Sequence, residues 1–284
     1  MKRIVFFLIY NIFVITLFGT DYSFFKYNIY SNCDYFTGRD YFGLSYFYTL
    51  KNENKIKMIQ DNYVTPKEEY FCRSIYNADG QIIKWETNQY DGDIRYFQYN
   101  EKKYLTNFGY GDFKYIYISE NQRDYYLKDD FQYRQTIENV GSIYTVTREE
   151  INSRTNNLSV VNISTYIYDD RSIQKYQSIS FNKMGKVSNS VTFNFQYSSN
   201  KNLKKINVNG MNMYTGKETW NVEVLFEYDS SFHLIKILKN DKKNLRESTV
   251  SEFSDYDDFG NWHTFKLYRN NNVSEVINRK IVYR

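Results

Sequence analysis

Between Val191 and Tyr197 the chain reads VTFNFQY, and apolar and polar residues alternate without a break. Side chains two apart share one face of an extended strand, so this period gives one apolar face and one wet face. The same alternation sets Val222, Val224, Phe226 and Tyr228 against Glu223, Leu225 and Glu227. It also sets Phe113, Tyr115 and Tyr117 against Lys114 and Ile116. A helix needs apolar residues three and four apart, and no long stripe of that kind is present. Composition points the same way. Aromatic residues make up 20% of the chain and favour strands, whereas alanine, the best helix former, occurs once, at Ala78. Parallel strands need long crossovers that the sequence does not supply, so the sheet is expected to be antiparallel. Residues 52–70, NENKIKMIQDNYVTPKEEY, are the best place for a short helix or an irregular loop.

The alternating runs end in a recurring way. An aromatic residue, a spacer and a tyrosine are followed by Asp, Asn or Ser: Phe97–Asn100, Tyr166–Asp169, Phe195–Ser198 and Phe226–Asp229. Weaker versions are anchored at Tyr76, Phe181 and Tyr256. Turn residues come next, and then an apolar strand start at Ile82, Val187, Leu203, Leu234 or Trp262. Asp, Asn and Ser fold their side chains onto the backbone two residues on and so start a turn. Glycine at the fourth turn position, as in Gly80, Gly185 and Gly260, can take the positive φ that closes a type I turn into a bulge. The structural residues are therefore Tyr228 and Asp229 in one unit and Tyr256, Asp257, Gly260 and Trp262 in the last. The expected fold is all-β, an antiparallel meander of β-hairpins forming an open curled sheet or half-barrel, with room for one short helix.

At the N-terminus, Lys2 and Arg3 precede an apolar run from Ile4 to Phe18, interrupted by Asn11 and Thr16. A basic start and a run of this length read as a signal peptide over residues 1–20. Residues 21–284 are then a single β-rich domain in an exported protein, in the periplasm or on the outer cell surface. Without Lys2 and Arg3 the formal net charge falls from +4 to +2, which gives no electrostatic footprint for nucleic acid. Cys33 and Cys72 both follow the signal, and an oxidising compartment allows one bridge between them or two separate thiols.

The units carry a family resemblance. Tyr-x-Tyr-Asp followed by Gly-Asn and an apolar residue resembles the YD repeats of bacterial Rhs-type proteins, mainly over residues 160–284. The last unit, from Tyr256 on, is similar to the terminal YD-like unit of small exported bacterial proteins. The large Rhs proteins form a shell around a toxin, and this chain is too short for such a shell. The resemblance implies hairpin architecture and a secreted setting, with no activity attached.

Chemistry-bearing patterns are weak. Asp257 and Asp258 are adjacent, and neighbours on a strand point to opposite faces, so they read as turn residues and not as an acid/base pair. His263 and His233 hold different positions in their units, and His263 is expected to face solvent from a strand. No catalytic residue, cofactor or metal is assigned. The aromatic excess is expected to serve cross-strand packing, at about 0.2–1 kcal/mol per pair. The resulting expectation is a non-catalytic binding or structural protein of the cell envelope, using a sheet face or edge. Its partner is an envelope protein, a glycan or a lipid, with membrane contact only through an uncleaved N-terminal segment. The alternative is a periplasmic carrier that encloses an apolar ligand such as a lipid in a curled sheet.

Overall fold

The structure, a computed structural model, describes residues 55–284 apart from 90–91, 102–104, 110–112, 120, 153–154, 170–171, 201 and 245–247. The signal peptide and Cys33 lie outside the described residues. The first six strands are β1 (Ile56–Val64), β2 (Glu69–Tyr76), β3 (Ile82–Thr87), β4 (Asp93–Tyr99), β5 (Leu105–Gly109) and β6 (Phe113–Ser119). The next six are β7 (Gln122–Leu127), β8 (Asp130–Val140), β9 (Ile143–Ile151), β10 (Leu158–Asp169), β11 (Ser172–Phe181) and β12 (Val187–Tyr197). The last six are β13 (Leu203–Asn212), β14 (Lys217–Tyr228), β15 (Leu234–Asp241), β16 (Thr249–Tyr256), β17 (Trp262–Arg269) and β18 (Asn272–Tyr283).

Each strand pairs antiparallel with the next, as expected for a meander of hairpins. The last strand then returns to the first. β18 pairs with β1, from Ile56↔Tyr283 to Val64↔Val276, while the other side of β1 pairs with β2. The sheet of 18 strands is therefore closed, not the expected open sheet or half-barrel. Closure removes the exposed N–H and C=O rows of an edge strand, and with them the sheet edge as a binding device.

The expected short helix is absent among the described residues. From Ile56 onward, that segment forms β1, a turn and the start of β2. Ile59, Asp61 and Tyr63 point inward, while Met58, Gln60 and Asn62 point outward, and partners on both sides satisfy the backbone. Thr65 closes the turn that contains Pro66. Its hydroxyl accepts from the Lys67 and Glu68 amides at 3.3 and 3.1 Å.

The two faces of the wall differ sharply. Inward residues form one hydrophobic cluster that runs around the ring. Within it Leu105, Tyr166, Tyr176, Phe193, Ile206 and Val208 have 0% exposure. Rings pack across neighbouring strands: Tyr63 stacks on Tyr70 at 4.6 Å and Tyr125 on Tyr133 at 4.7 Å, while Tyr166 meets Tyr176 at 4.8 Å with its plane tilted. This is the cross-strand packing that the aromatic content implied.

Many outward positions are polar, although Ile94 and Tyr96 on β4 and Ile116 and Ile118 on β6 also face out. On β12 the outward residues are Ser190, Thr192, Asn194 and Gln196. Lys205 pairs with Glu223 across β13 and β14 at 2.5 Å, and Lys84 with Glu86 at 2.5 Å. Arg134 holds Asp124 through two hydrogen bonds of 2.8 and 2.9 Å. The lysine hydrogen bonds hold the carboxyls of Glu223 and Glu86 below the usual carboxylate range.

Candidate functional site

The ring has two rims. The upper rim carries the hairpins β2–β3, β4–β5, β12–β13, β14–β15 and β16–β17, together with the start of β1 and the end of β18. At most of these turns one geometry recurs. In the last unit, Asp257 N–H donates to Asn261 O at 2.9 Å and Gly260 N–H to Asp257 O at 2.8 Å. Asp257 Oδ1 accepts from the amides of Phe259 and Asn261 at 3.0 and 2.9 Å. Asn77 and Asp229 head the same construction. The fourth turn position has positive φ each time: Gly80 at 77°, Gly260 at 77° and Phe232 at 62°. Asp229 and Asp257 are thus turn formers, Gly260 is left-handed, and Trp262 is the first packing residue of its strand, 1% exposed.

Sequence reasoning missed what the anchor tyrosines do. Three of them, Tyr99, Tyr228 and Tyr256, together with Tyr117 on β6, reach back one hairpin and donate the hydroxyl proton to the first carbonyl of the earlier return strand. Tyr99 bonds Ile82 O at 2.8 Å and Tyr228 bonds Leu203 O at 3.0 Å. Tyr117 bonds Leu105 O at 2.9 Å, and Tyr256 bonds Leu234 O. The signal was the fixed step of six residues from anchor to strand start, as in Tyr228 to Leu234 and Tyr256 to Trp262. Phe181 interrupts the series because its turn lies on the opposite, lower rim. From Tyr168 onward the upper-rim anchors Tyr197, Tyr228, Tyr256 and Tyr283 follow at steps of 29, 31, 28 and 27 residues. Burial raises the phenol pKa of Tyr228 to about 12.

Asp257, Asp258 and His263 do not form a catalytic cluster. Asp258 is exposed, apart from the hydrogen-bonded carboxylate of Asp257. His263 is 33% exposed, as a strand residue facing solvent would be in part, but its ring is also held on both sides. Its Nδ1 lies 2.8 Å from Arg279 O and its Nε2 lies 3.4 Å from Asp257 Oδ2. Both ring nitrogens are engaged by fixed oxygens, which leaves no lone pair aimed at a substrate proton. Tyr283 donates its hydroxyl proton to Asp257 and accepts from Asn261 Nδ2 at 2.9 Å. Burial raises the Asp257 pKa, but the bonds from Tyr283, the Asn261 amide, His263 and the Phe259 amide outweigh it, and the carboxyl titrates below the ordinary aspartate range. Arg284 completes the rim by donating to the carbonyls of Tyr76 and Asn77.

Deeper inside, four arginines share one arrangement that the sequence reading did not find. Each lies over an aromatic ring of the neighbouring strand and bonds an acceptor on the inner face. Arg279 stands 3.6 Å over Trp262 and holds Asp61 at 2.7 and 2.9 Å. Arg123 stands 4.2 Å over Tyr115 and bonds Gln135 at 3.0 and 2.7 Å. Arg148 lies over Tyr133 and bonds Glu150, and Arg95 lies over Trp85 and bonds Asp93. The available signal was a charge at an inward phase, such as Asp61 between Ile59 and Tyr63. Its partner lies 218 positions away.

Cys72 is buried on β2 with its thiol 3.6 Å from the Thr87 hydroxyl. The other end of the expected bridge, Cys33, is outside the described residues. Among the described residues no group of three or more His, Cys, Asp or Glu converges as a metal site.

No protein-family model matches the chain, and no curated protein does. Among solved structures, a porin-like protein from Bacteroides vulgatus is similar over 81% of this chain and 98% of its own, at 10% identity and a TM-score of 0.42. A porin-like protein from Bacteroides uniformis is similar over 80% and 98%, at 10% identity and a TM-score of 0.30. The TcdB2–TccC3 structure is similar over 74% of this chain and 17% of its own, at 10% identity and a TM-score of 0.21. Scores and identities this low carry no function across.

Proposed function

We propose that this chain is an exported, non-catalytic protein of the cell envelope that stands in water and works by binding at its outer surface or a rim. The carrying observation is the direction of the alternation. A barrel that spans a bilayer turns its apolar positions outward and ends in aromatic girdles. Here the repeating apolar positions of β10 to β14 turn inward, and the wall there and on β7–β8 presents Asn194, Asn207, the Lys205–Glu223 pair and the Arg134–Asp124 pair. Exposed apolar residues such as Ile94, Tyr96, Ile116 and Ile118 occupy part of the wall, on β4 and β6. Arginine and lysine on a lipid-facing wall cost about 2–4 kcal/mol each at the bilayer midplane, and carboxylates less, so this wall fits an aqueous compartment. The carrier reading needs a vacant apolar interior, and the buried ring cluster occupies that space, which places it second.

Fractionation of the native host tests the reading. The expected result is release of the protein from envelopes by high salt or alkaline carbonate, without detergent, and with the mass of a chain shortened at the N-terminus. A requirement for detergent by the shortened chain overturns the water-facing wall. A cytoplasmic, uncleaved protein overturns export.

A further inference from the structure

On the lower rim the turn motif reverses its usual outcome. On the upper rim the apolar residue six after the anchor is buried, as with Ile82, Leu203, Leu234 and Trp262. Val187, six after Phe181, is exposed. Just before it Met184 stands at the turn tip, 64% exposed. The tip is held rigidly: Asn182 Oδ1 accepts from the Met184 and Lys186 amides, both at 2.9 Å, and Gly185 takes a φ of 73°.

The neighbouring loops extend this surface. Asn182 Nδ2 donates to the Tyr214 hydroxyl, and Met213 N–H donates to Ser188 O at 2.9 Å. Asn152 Nδ2 donates to Lys183 O at 3.1 Å. Met211, Met213 and Tyr214 are exposed beside Met184 and Val187, and Tyr214 is 57% exposed. Segments 155–157, 182–186, 213–217 and 242–244 hold five lysines, Lys183, Lys186, Lys217, Lys242 and Lys243, and the adjoining carboxylates are Glu218 and Asp241, the latter tied to the amides of its own turn. These lysines are exposed.

We propose that this rim docks on an anionic lipid surface, with Met184, Met213 and Tyr214 entering the headgroup boundary and the lysines meeting the phosphates. Methionine is flexible and apolar, tyrosine suits the boundary between water and acyl chains, and lysines near an anionic leaflet are attracted to it. A second copy of the chain is the poorer occupant, because a two-fold contact through this patch sets the lysines of one copy against those of the other. The inference deepens the binding reading and rests on its water-facing wall. It moves membrane contact from the N-terminal segment, where the sequence placed it, to the folded domain.

The test is vesicle flotation with protein purified from its host, so that every variant carries the same N-terminus. The expected result is binding to phosphatidylcholine vesicles that contain phosphatidylglycerol, weakened by high salt, with little binding to phosphatidylcholine alone. Lys183→Glu with Lys186→Glu is expected to weaken binding by about tenfold or more. Met184→Asp with Met213→Asp is expected to abolish it, with thermal unfolding unchanged. Equal binding to both vesicle types, no binding, or wild-type flotation of the rim variants overturns the proposal. So does a vesicle-free dimer lost in the same variants, which assigns the rim to a second copy. The wild-type salt and lipid dependence decides the matter even if a variant misfolds. Release without detergent combined with no flotation sinks this inference alone, whereas a detergent requirement sinks the water-facing wall beneath it.

Discussion

Replacing Arg279 by methionine tests the seam that closes the barrel. The guanidinium bonds Asp61 at 2.7 and 2.9 Å, joining the last strand to the first, and the two side chains are 1% and 9% exposed. Methionine roughly keeps the volume over Trp262 but leaves the Asp61 carboxylate buried and unpaired by its arginine. Breaking a buried pair in this way costs about 3–5 kcal/mol, against about 0–1 kcal/mol for a surface pair. Loss of the cation–π contact with Trp262 adds about 1–2 kcal/mol at a desolvated site. Against a typical total stability of about 5–15 kcal/mol, the effect is large. Adding Asp61→Leu removes the stranded charge, so the double variant is expected within about 1–2 kcal/mol of wild type. Urea unfolding of the four members of this cycle gives the coupling directly. A single-variant loss below about 1 kcal/mol, with no coupling, refutes a dry, paired seam.

Gly260→Val places a β-branched residue at a φ of 77° and is expected to cost about 1–3 kcal/mol; unfolding at the wild-type temperature refutes the turn assignment. Phe232→Gly, at the equivalent position with a φ of 62°, is expected to stabilise by up to about 1 kcal/mol, read as a raised melting temperature. Tyr228→Phe removes the 3.0 Å bond to Leu203 O and is expected to cost about 0.5–1.5 kcal/mol in denaturant unfolding. Because the folded pKa of Asp257 is depressed, its contribution is present above the unfolded aspartate pKa and lost as pH falls through the folded value. Asp257→Asn should therefore flatten the fall in melting temperature below about pH 4. Tyr176 and Tyr228 are raised to about 12, so their contribution is present below pH 10 and lost as pH rises toward that value. Alkaline titration followed by tyrosinate absorbance should show these phenols ionising only with unfolding.

The strands and upper-rim turns were legible because they are local. A period of two needs only near neighbours, and the Asp257 turn needs Asp257, Gly260 and Asn261 within five residues. The sequence alone therefore determined that the chain is an antiparallel run of hairpins with an apolar face and a polar one. It could not say that His263 is pinned between Asp257 and the Arg279 carbonyl, since that contact spans two strands. Nor could it show that Val187 turns outward where Trp262 turns inward, because the two turn sequences look alike and differ in the rim they occupy. Closure belongs wholly to the tertiary structure. Ile56 and Tyr283 pair only because eighteen strands bring the first strand and the last together, and no local pattern counts strands or sets their stagger. That closure turned a possible sheet edge into a sealed seam, filled the inside with rings, and left the outer wall and the rims as the surfaces that meet anything else.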